Sequence, residues 1–186
     1  LDQISTAMRS EVEKSIQHFE QAIRIDPGFA PAYAGLAWAY DFYALTSSPK
    51  EAFQKAKDAA LKAFSLDDSL ADAHAVLADI KTAYDWDWEG AEREYKRALD
   101  LNPNHSFAHF TYGLFLAGQG RTEEAVSHAE RALEVDPHTL LTVRYAIQVF
   151  ALGHQFDRGI SLAKESLNLF ANSRRLHQML GRLYIG

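Results

Sequence analysis

Four sets of residues recur along this chain at the same unequal intervals, and that shared register constrains the fold more than any other feature. Four segments close on Ile25-Asp26-Pro27, Leu66-Asp67-Asp68, Leu101-Asn102-Pro103 and Val135-Asp136-Pro137, so the last position steps by 41, 35 and 34. Small residues stand five positions earlier, at Ala22, Ala63, Ala98, Ala132 and Ser166, with steps of 41, 35, 34 and 34. Ser15, Ala56, Ala91, Ala125 and Gly159 keep the same steps, and so do the pairs Leu36-Ala37, Leu77-Ala78, Tyr112-Gly113, Ala146-Ile147 and Leu180-Gly181. The period is therefore 34, with seven residues inserted once and one residue inserted once. Sets that stay in step through unequal intervals mark an array of one repeated supersecondary unit rather than a fold around a single core.

The landmarks also locate the insertions. The distance from Tyr112 to Ala125 and from Ala146 to Gly159 is 13, but it is 14 from Leu77 to Ala91 and 20 from Leu36 to Ala56. Both insertions thus fall where a turn is expected. Each unit reads as two helices. Phe107, Phe110 and Leu114, then Ala125, Ala129, Ala132 and Leu133, have helical spacing, with Gly118-Gln119-Gly120 between them and Asp136-Pro137 as a stop. Ser10 and Ser48 each precede a Glu by three residues, which predicts capping boxes, the second with Pro49 at the first helical position. The predicted helices are 4–9 with 11–25, 31–45 with 49–65, 70–83 with 88–101, 105–117 with 122–135, 139–152 with 156–169, and a closing helix 173–185.

This pattern resembles the tetratricopeptide repeat (TPR) family over nearly the whole chain. The closest unit has Tyr112-Gly113, Gly120, Ala125, Ala132 and Pro137 at the family's landmark places. Asp68 and Ala171 replace the terminal proline, Lys81 an apolar residue and Ile147 a small one. The resemblance implies an all-α superhelix of stacked helix-turn-helix units, about five and a half of them. The expected divisions of a single array over 1–186 are a partial repeat 1–29, repeats 30–70, 71–105, 106–139 and 140–173, and a closing helix 174–186. The chain opens on Leu1, which we read as a piece excised from a longer protein.

Composition excludes several classes. With 19 Lys plus Arg against 25 Asp plus Glu, the net charge is -6, and no basic run is present. That argues against nucleic acid or an anionic membrane as partner. No apolar run reaches the length of a membrane span, and no signal peptide opens the chain. The absence of cysteine excludes disulfides and thiolate chemistry and fits a cytoplasmic location.

Each candidate chemistry has a packing alternative. Among eight histidines, His105 and His109 have the four-residue spacing of a metal pair. His74, His109 and His177, however, share one repeat position where a large packing residue is expected, so no metal site is predicted. Trp88 occupies a repeat position with Phe53 and Phe156 and is expected in the core. Trp86 belongs to the one-residue insertion and either covers the turn or offers a contact. Gly118-Gln119-Gly120 lacks the rest of a phosphate loop and reads as a turn. No catalytic set or cofactor motif stands out, so we expect no enzyme.

What the TPR resemblance implies is a concave groove lined by the first helices that holds a protein or peptide. Its expected lining is Trp38, Asp72, Asp79, Phe107, Phe110, Leu114, Arg144, Gln148, Arg175 and Arg182. Exposed aromatics beside Arg144, Arg175 and Arg182 suit a peptide with an apolar centre and an acidic end. The alternative is that the aromatics fill the superhelix and the arginines pair locally. The chaperone-tail-binding TPR subclass uses Lys and Asn where Ala34, Trp38, Ala75 and Asp79 stand here, so that type of tail is not expected. The stretch from Tyr84 to Tyr95 is similar to TPR regions of large bacterial signalling proteins, such as adenylate cyclases, winged-helix regulators and serine/threonine kinases. A competing expectation is self-association as a homodimer through Leu176, Met179, Leu180, Leu183 and Tyr184. An enzyme of unrecognised type is the remaining alternative.

Overall fold

The recurring small residues are where the helices touch. Ala37, Ala56, Ala63, Ala78, Ala91, Ala98, Ala125, Ala132 and Ala146 are all fully buried. Gly113 shows why size matters: a Cβ there would lie 3.1 Å from the Ala125 carbonyl oxygen and 3.4 Å from the His128 Cβ. The two helices of that repeat pack closely enough that only glycine fits without displacement. A computed structural model describes residues 2–44 and 49–185, and all regular structure among them is helical. The helices divide into two compact units, residues 1–103 and 104–186.

Unit 1 runs α1 Asp2–Ile25, α2 Ala30–Ala44, α3 Pro49–Leu66, α4 Ala71–Ile80 and α5 Trp88–Leu101. Each helix packs on the next, and α2 also meets α4. Ala34, Ala63 and Ala73 form a buried contact among α2, α3 and α4, with Tyr33 and Leu70 packed against it. The first unit differs from expectation. Residues 2–25 form one continuous helix, and Ser10 lies inside it rather than capping a second one. Nothing between residues 2 and 25 is Gly or Pro, so nothing interrupts the backbone bonds. The second predicted capping box begins at Ser48, outside the described residues, as does most of the seven-residue insertion.

The one-residue insertion has a definite place. Helix α4 ends at Ile80 and continues as a π-helical turn, Lys81–Asp85. A π turn holds one more residue than an α turn, so it absorbs the extra residue while leaving the landmarks on either side in register. Trp86 follows with a left-handed φ of 58°, and its N–H donates to the Lys81 carbonyl. Asp87 then caps α5, accepting from the Gly90 N–H at 2.9 Å. Because Trp88 is the first residue of α5, its side chain stays 49% exposed, which corrects the expectation of a core position. It lies against Trp86, which is 73% exposed, with ring centroids 6.4 Å apart.

Unit 2 runs α6 Ser106–Gly118, α7 Thr122–Val135, α8 Leu140–Leu152, α9 Phe156–Leu167 and α10 Arg174–Leu183. Helices α6 and α8 meet, as do α8 and α10. Gly120, at φ 76°, makes the turn between α6 and α7 in a conformation that favours glycine. His105 caps α6 through Nδ1, which accepts from the Ala108 N–H, and Ser173 caps α10. Val143, Ile147, Ala163, Leu176 and Leu183 form one core cluster, so α10 buries its apolar side against α8 and α9.

Candidate functional site

The first helix of each repeat supplies the expected binding residues, and the two units use that face differently. In unit 1, α2 is apolar apart from its tyrosines and one acid, Asp41. Trp38 is 36% exposed and stacks on Phe42 at 5.8 Å. Asp72 is exposed on α4, and Ala34 and Ala75 are buried. Asp79, in the place on α4 that Trp38 holds on α2, is half-buried and accepts from the Tyr95 hydroxyl at 3.3 Å. It also hydrogen-bonds to Asp41, which is 5% exposed. Burial, then the negative charge of Asp79, holds the Asp41 carboxyl well above the ordinary carboxylate range. Burial raises Asp79 as well, against the pull of the hydrogen bonds from Asp41 and Tyr95. Asp41 is therefore the protonated donor and Asp79 the acceptor. The Oδ1 of Asp41 has no hydrogen-bond partner among the described residues. Asp41 is absent from the expected lining, although a lone acid in an apolar helix was a visible signal.

A second feature of unit 1 is a cleft of about 360 Å³ with a floor of Leu61, Phe64, Leu77 and Ile80. Its rim carries the pairs Lys57–Asp85 at 2.6 Å and Lys81–Glu94 at 3.4 Å. Behind it His74 is buried, with Nδ1 2.7 Å from Glu94 Oε2 and Nε2 3.0 Å from the Asp68 carbonyl. Both partners are acceptors, so the imidazolium satisfies both. The Glu94 hydrogen bond raises the His74 pKa, and the same bond lowers that of Glu94.

In unit 2 the aromatics turn inward. Phe110 is 4% exposed, edge-on to Phe107 at 5.2 Å and stacked on Tyr145 at 4.6 Å. That corrects the expectation that Phe110 is an exposed groove aromatic: it ties α6 to α8. Phe107 and Leu114 are half-buried, and Gln148, Arg175 and Arg182 are exposed. Arg144 is half-buried on α8, and its Nε is buried with no hydrogen-bond partner among the described residues. Burial, then the like charge of Arg175, lowers its pKa. No ion pair to an acidic side chain offsets Arg144 or Arg175 among the described residues. The structure therefore brings Arg144 and Arg175 within electrostatic reach, and it shows no contact that gathers Arg182 with them.

The histidines separate by position. His74 and His109 are buried packing residues as expected, whereas His177 is exposed and bonds to the Ser173 carbonyl at 3.0 Å. No described helix follows α10 to cover it. His105 serves as the α6 cap. The Nδ1 of His109 lies 2.9 Å from that of His128. Burial, then the His109 charge, pulls the His128 pKa down to about 4. No group of three or more His, Asp or Glu among the described residues is arranged to hold a metal.

The expected self-association surface is largely spent inside unit 2. Leu176 and Leu183 are in its core, and Met179 and Leu180 pack against that core. Tyr184 remains 59% exposed, with the Lys164 ammonium 5.5 Å from its ring centre. No helix among the described residues is long and apolar enough to cross a membrane.

Residues 94–127 match the tetratricopeptide repeat family. The human protein O-mannosyl-transferase TMTC3 is 31% identical over 117 residues, which are 63% of this chain and 12% of that protein. The chain thus spans about an eighth of that curated relative. Among solved structures, TTC0263, a TPR protein of Thermus thermophilus, superposes with a TM-score of 0.76 at 16% identity, covering 98% of this chain and 96% of that one. YrrB, described as a TPR protein with an unusual peptide-binding site, superposes with a TM-score of 0.56 at 22% identity, covering 92% and 84%.

Proposed function

Because the chain belongs to the tetratricopeptide-repeat family, we propose that it is a non-catalytic module that binds a protein or peptide on its first-helix faces. The observation that carries this reading is Arg144. Its buried Nε has no partner, and no acid balances it or Arg175 among the described residues. A guanidinium left this way costs folding energy that an incoming carboxylate recovers, because charge-assisted bonds to guanidinium are strong. Leu114 and Phe107 offer half-buried apolar contact on α6, so unit 2 suits an acidic group beside an apolar one. The peptide-binding site that names YrrB supports the same use of the fold. Placement within a larger signalling protein of bacterial type rests on the stretch from Tyr84 to Tyr95 and on the seven-residue insertion, and a cytoplasmic location rests on the absence of cysteine. Self-association is the alternative reading: of its expected residues Tyr184 is exposed and Met179 and Leu180 are half-buried, while Leu176 and Leu183 are spent in the core of unit 2.

Selection from a displayed peptide library tests the reading. Peptides enriched in Asp or Glu next to an apolar residue are expected, with affinity reduced about tenfold by Arg144→Gln or Arg175→Gln. Selected peptides whose binding ignores both substitutions contradict it.

A further inference from the structure

We propose that unit 1 carries a subsite for a cationic side chain, a lysine or arginine of a bound peptide, seated between the Asp41–Asp79 carboxyl pair and the Trp38 indole. This deepens the peptide-binding reading and rests on it.

Asp41 is a polar residue out of place. It is 5% exposed, on a helix whose neighbouring positions are apolar, and its Oδ1 has no hydrogen-bond partner among the described residues. Buried polar atoms in native folds are almost always paired, and an orphan costs free energy. Its other neighbour does not resolve the problem. Asp79 takes hydrogen bonds from Asp41 and from Tyr95, both neutral donors, and no Lys, Arg or His forms an ion pair with either carboxyl among the described residues. A desolvated carboxylate with no counter-charge calls for a cation.

The surroundings select the kind of cation. Trp38 lies three residues before Asp41 on α2, so the two share a helix face. It holds on its repeat the place that Asp79 holds on the next, and it stays exposed while stacked on Phe42. The face of an indole attracts a cation within about 6 Å. An organic cation on an apolar stem uses both features, with its charge on the carboxyls and its stem along the ring. A metal ion uses neither well. Hard divalent cations take six or more oxygen ligands, and the described residues here form no group of three acidic or histidine ligands.

The test uses the whole chain and the capped peptide Ala-Ala-Arg-Ala-Ala, followed by two-dimensional amide NMR and calorimetry. Its citrulline counterpart keeps the shape and hydrogen bonds but loses the charge. The expected result is a shift of the Trp38 indole N–H and the Asp79 amide, with the arginine peptide bound at least about tenfold tighter than the citrulline one. Asp79→Asn should erase that difference while a thermal melt shows the fold retained. If Asp79→Asn does not fold, the arginine-to-citrulline ratio on the natural chain decides alone. Equal binding of the two peptides overturns the proposal, as do shifts confined to unit 2 or displacement by millimolar Ca²⁺ through direct binding to the carboxyls. If the arginine peptide fails while an acidic peptide still binds unit 2, the subsite falls and the peptide-binding reading stands. If both fail, both fall.

Discussion

Unit 1 and unit 2 are built from the same helix pair, yet they bury opposite electrostatic problems. Unit 1 places two carboxyls together at Asp41 and Asp79, and unit 2 places two imidazoles together at His109 and His128. Each pair lies between two helices, Asp41 of α2 against Asp79 of α4 and His109 of α6 against His128 of α7. The repeat dictates how near the backbones come and leaves open what charge is caught between them. The two units should therefore respond to pH in opposite directions, although their scaffolds are alike.

The largest effect expected of a single substitution is on packing. Phe110→Ala should lower the stability of unit 2 by about 3–5 kcal/mol, since it empties the α6–α8 contact. Trp38→Ala on unit 1, already 36% exposed, should lower it by less than about 1 kcal/mol. Urea denaturation of both variants measures this, and similar losses would erase the contrast between an inward and an outward aromatic.

Next comes acid. His128 is held at about 4 in the fold against 6.5 for a free imidazole. Between those values the unfolded chain binds the proton first, so the stability of unit 2 is present above about 6.5 and is lost as pH falls towards 4. The shift corresponds to about 3 kcal/mol before solvent screening at this partly exposed ring, and to about half of that after it. Amide exchange protection in α6 and α7, corrected for intrinsic rates, should fall over that range, and His128→Phe should flatten the fall. Protection that is flat in the natural chain breaks the comparison.

A smaller effect is expected at His74. Its raised pKa contributes stability that is fully present below about 6.5 and is lost as pH rises through the folded value. Glu94, lowered, contributes above its free value of 4.5 and loses this as pH falls through the folded value. His74→Gln should therefore destabilise unit 1 by about 1 kcal/mol near pH 5.5 and by less at pH 8. Equal losses at the two pH values would show that the pair is not charged.

The smallest and most diagnostic effect concerns the carboxyl pair. Both acids are raised, so the fold keeps a proton that the unfolded chain gives up, and stability is lost as pH rises from about 4 through the folded values. Asp41→Asn keeps the shape and supplies N–H donors without titrating. It should cost little below pH 4 and should raise the melting temperature of unit 1 at pH 8. A lower melting temperature at both pH values would mean that the carboxyls are not in conflict.

The sequence made the helix pairs legible because close contacts need small residues, and small residues at fixed spacing are visible without coordinates. It did not show how one added residue is absorbed. A π turn at Lys81 and a longer loop give the same spacing between Leu77 and Ala91. It misplaced Trp88 because the register fixes a position in the repeat, not whether another helix covers the start of α5. It misread Leu176 and Leu183 for a related reason: an apolar helix face looks the same whether it docks on α8 and α9 or on another chain. Of the candidate site, the spacing identified Trp38 and Asp79 as equivalent places. Asp41 was missed because its partner is 38 residues away and is chosen by packing.

On the binding reading proposed above, unit 1 takes a cationic side chain at Asp41 and Asp79 and unit 2 an acidic one at Arg144 and Arg175. Amide NMR with two probes on the same sample tests this most directly. The capped arginine peptide should shift Trp38 and Asp79, and the same peptide with aspartate in place of arginine should shift Leu114, Arg144 and Arg175. Both probes acting on one unit, or each on the unit of its own charge, would contradict the account.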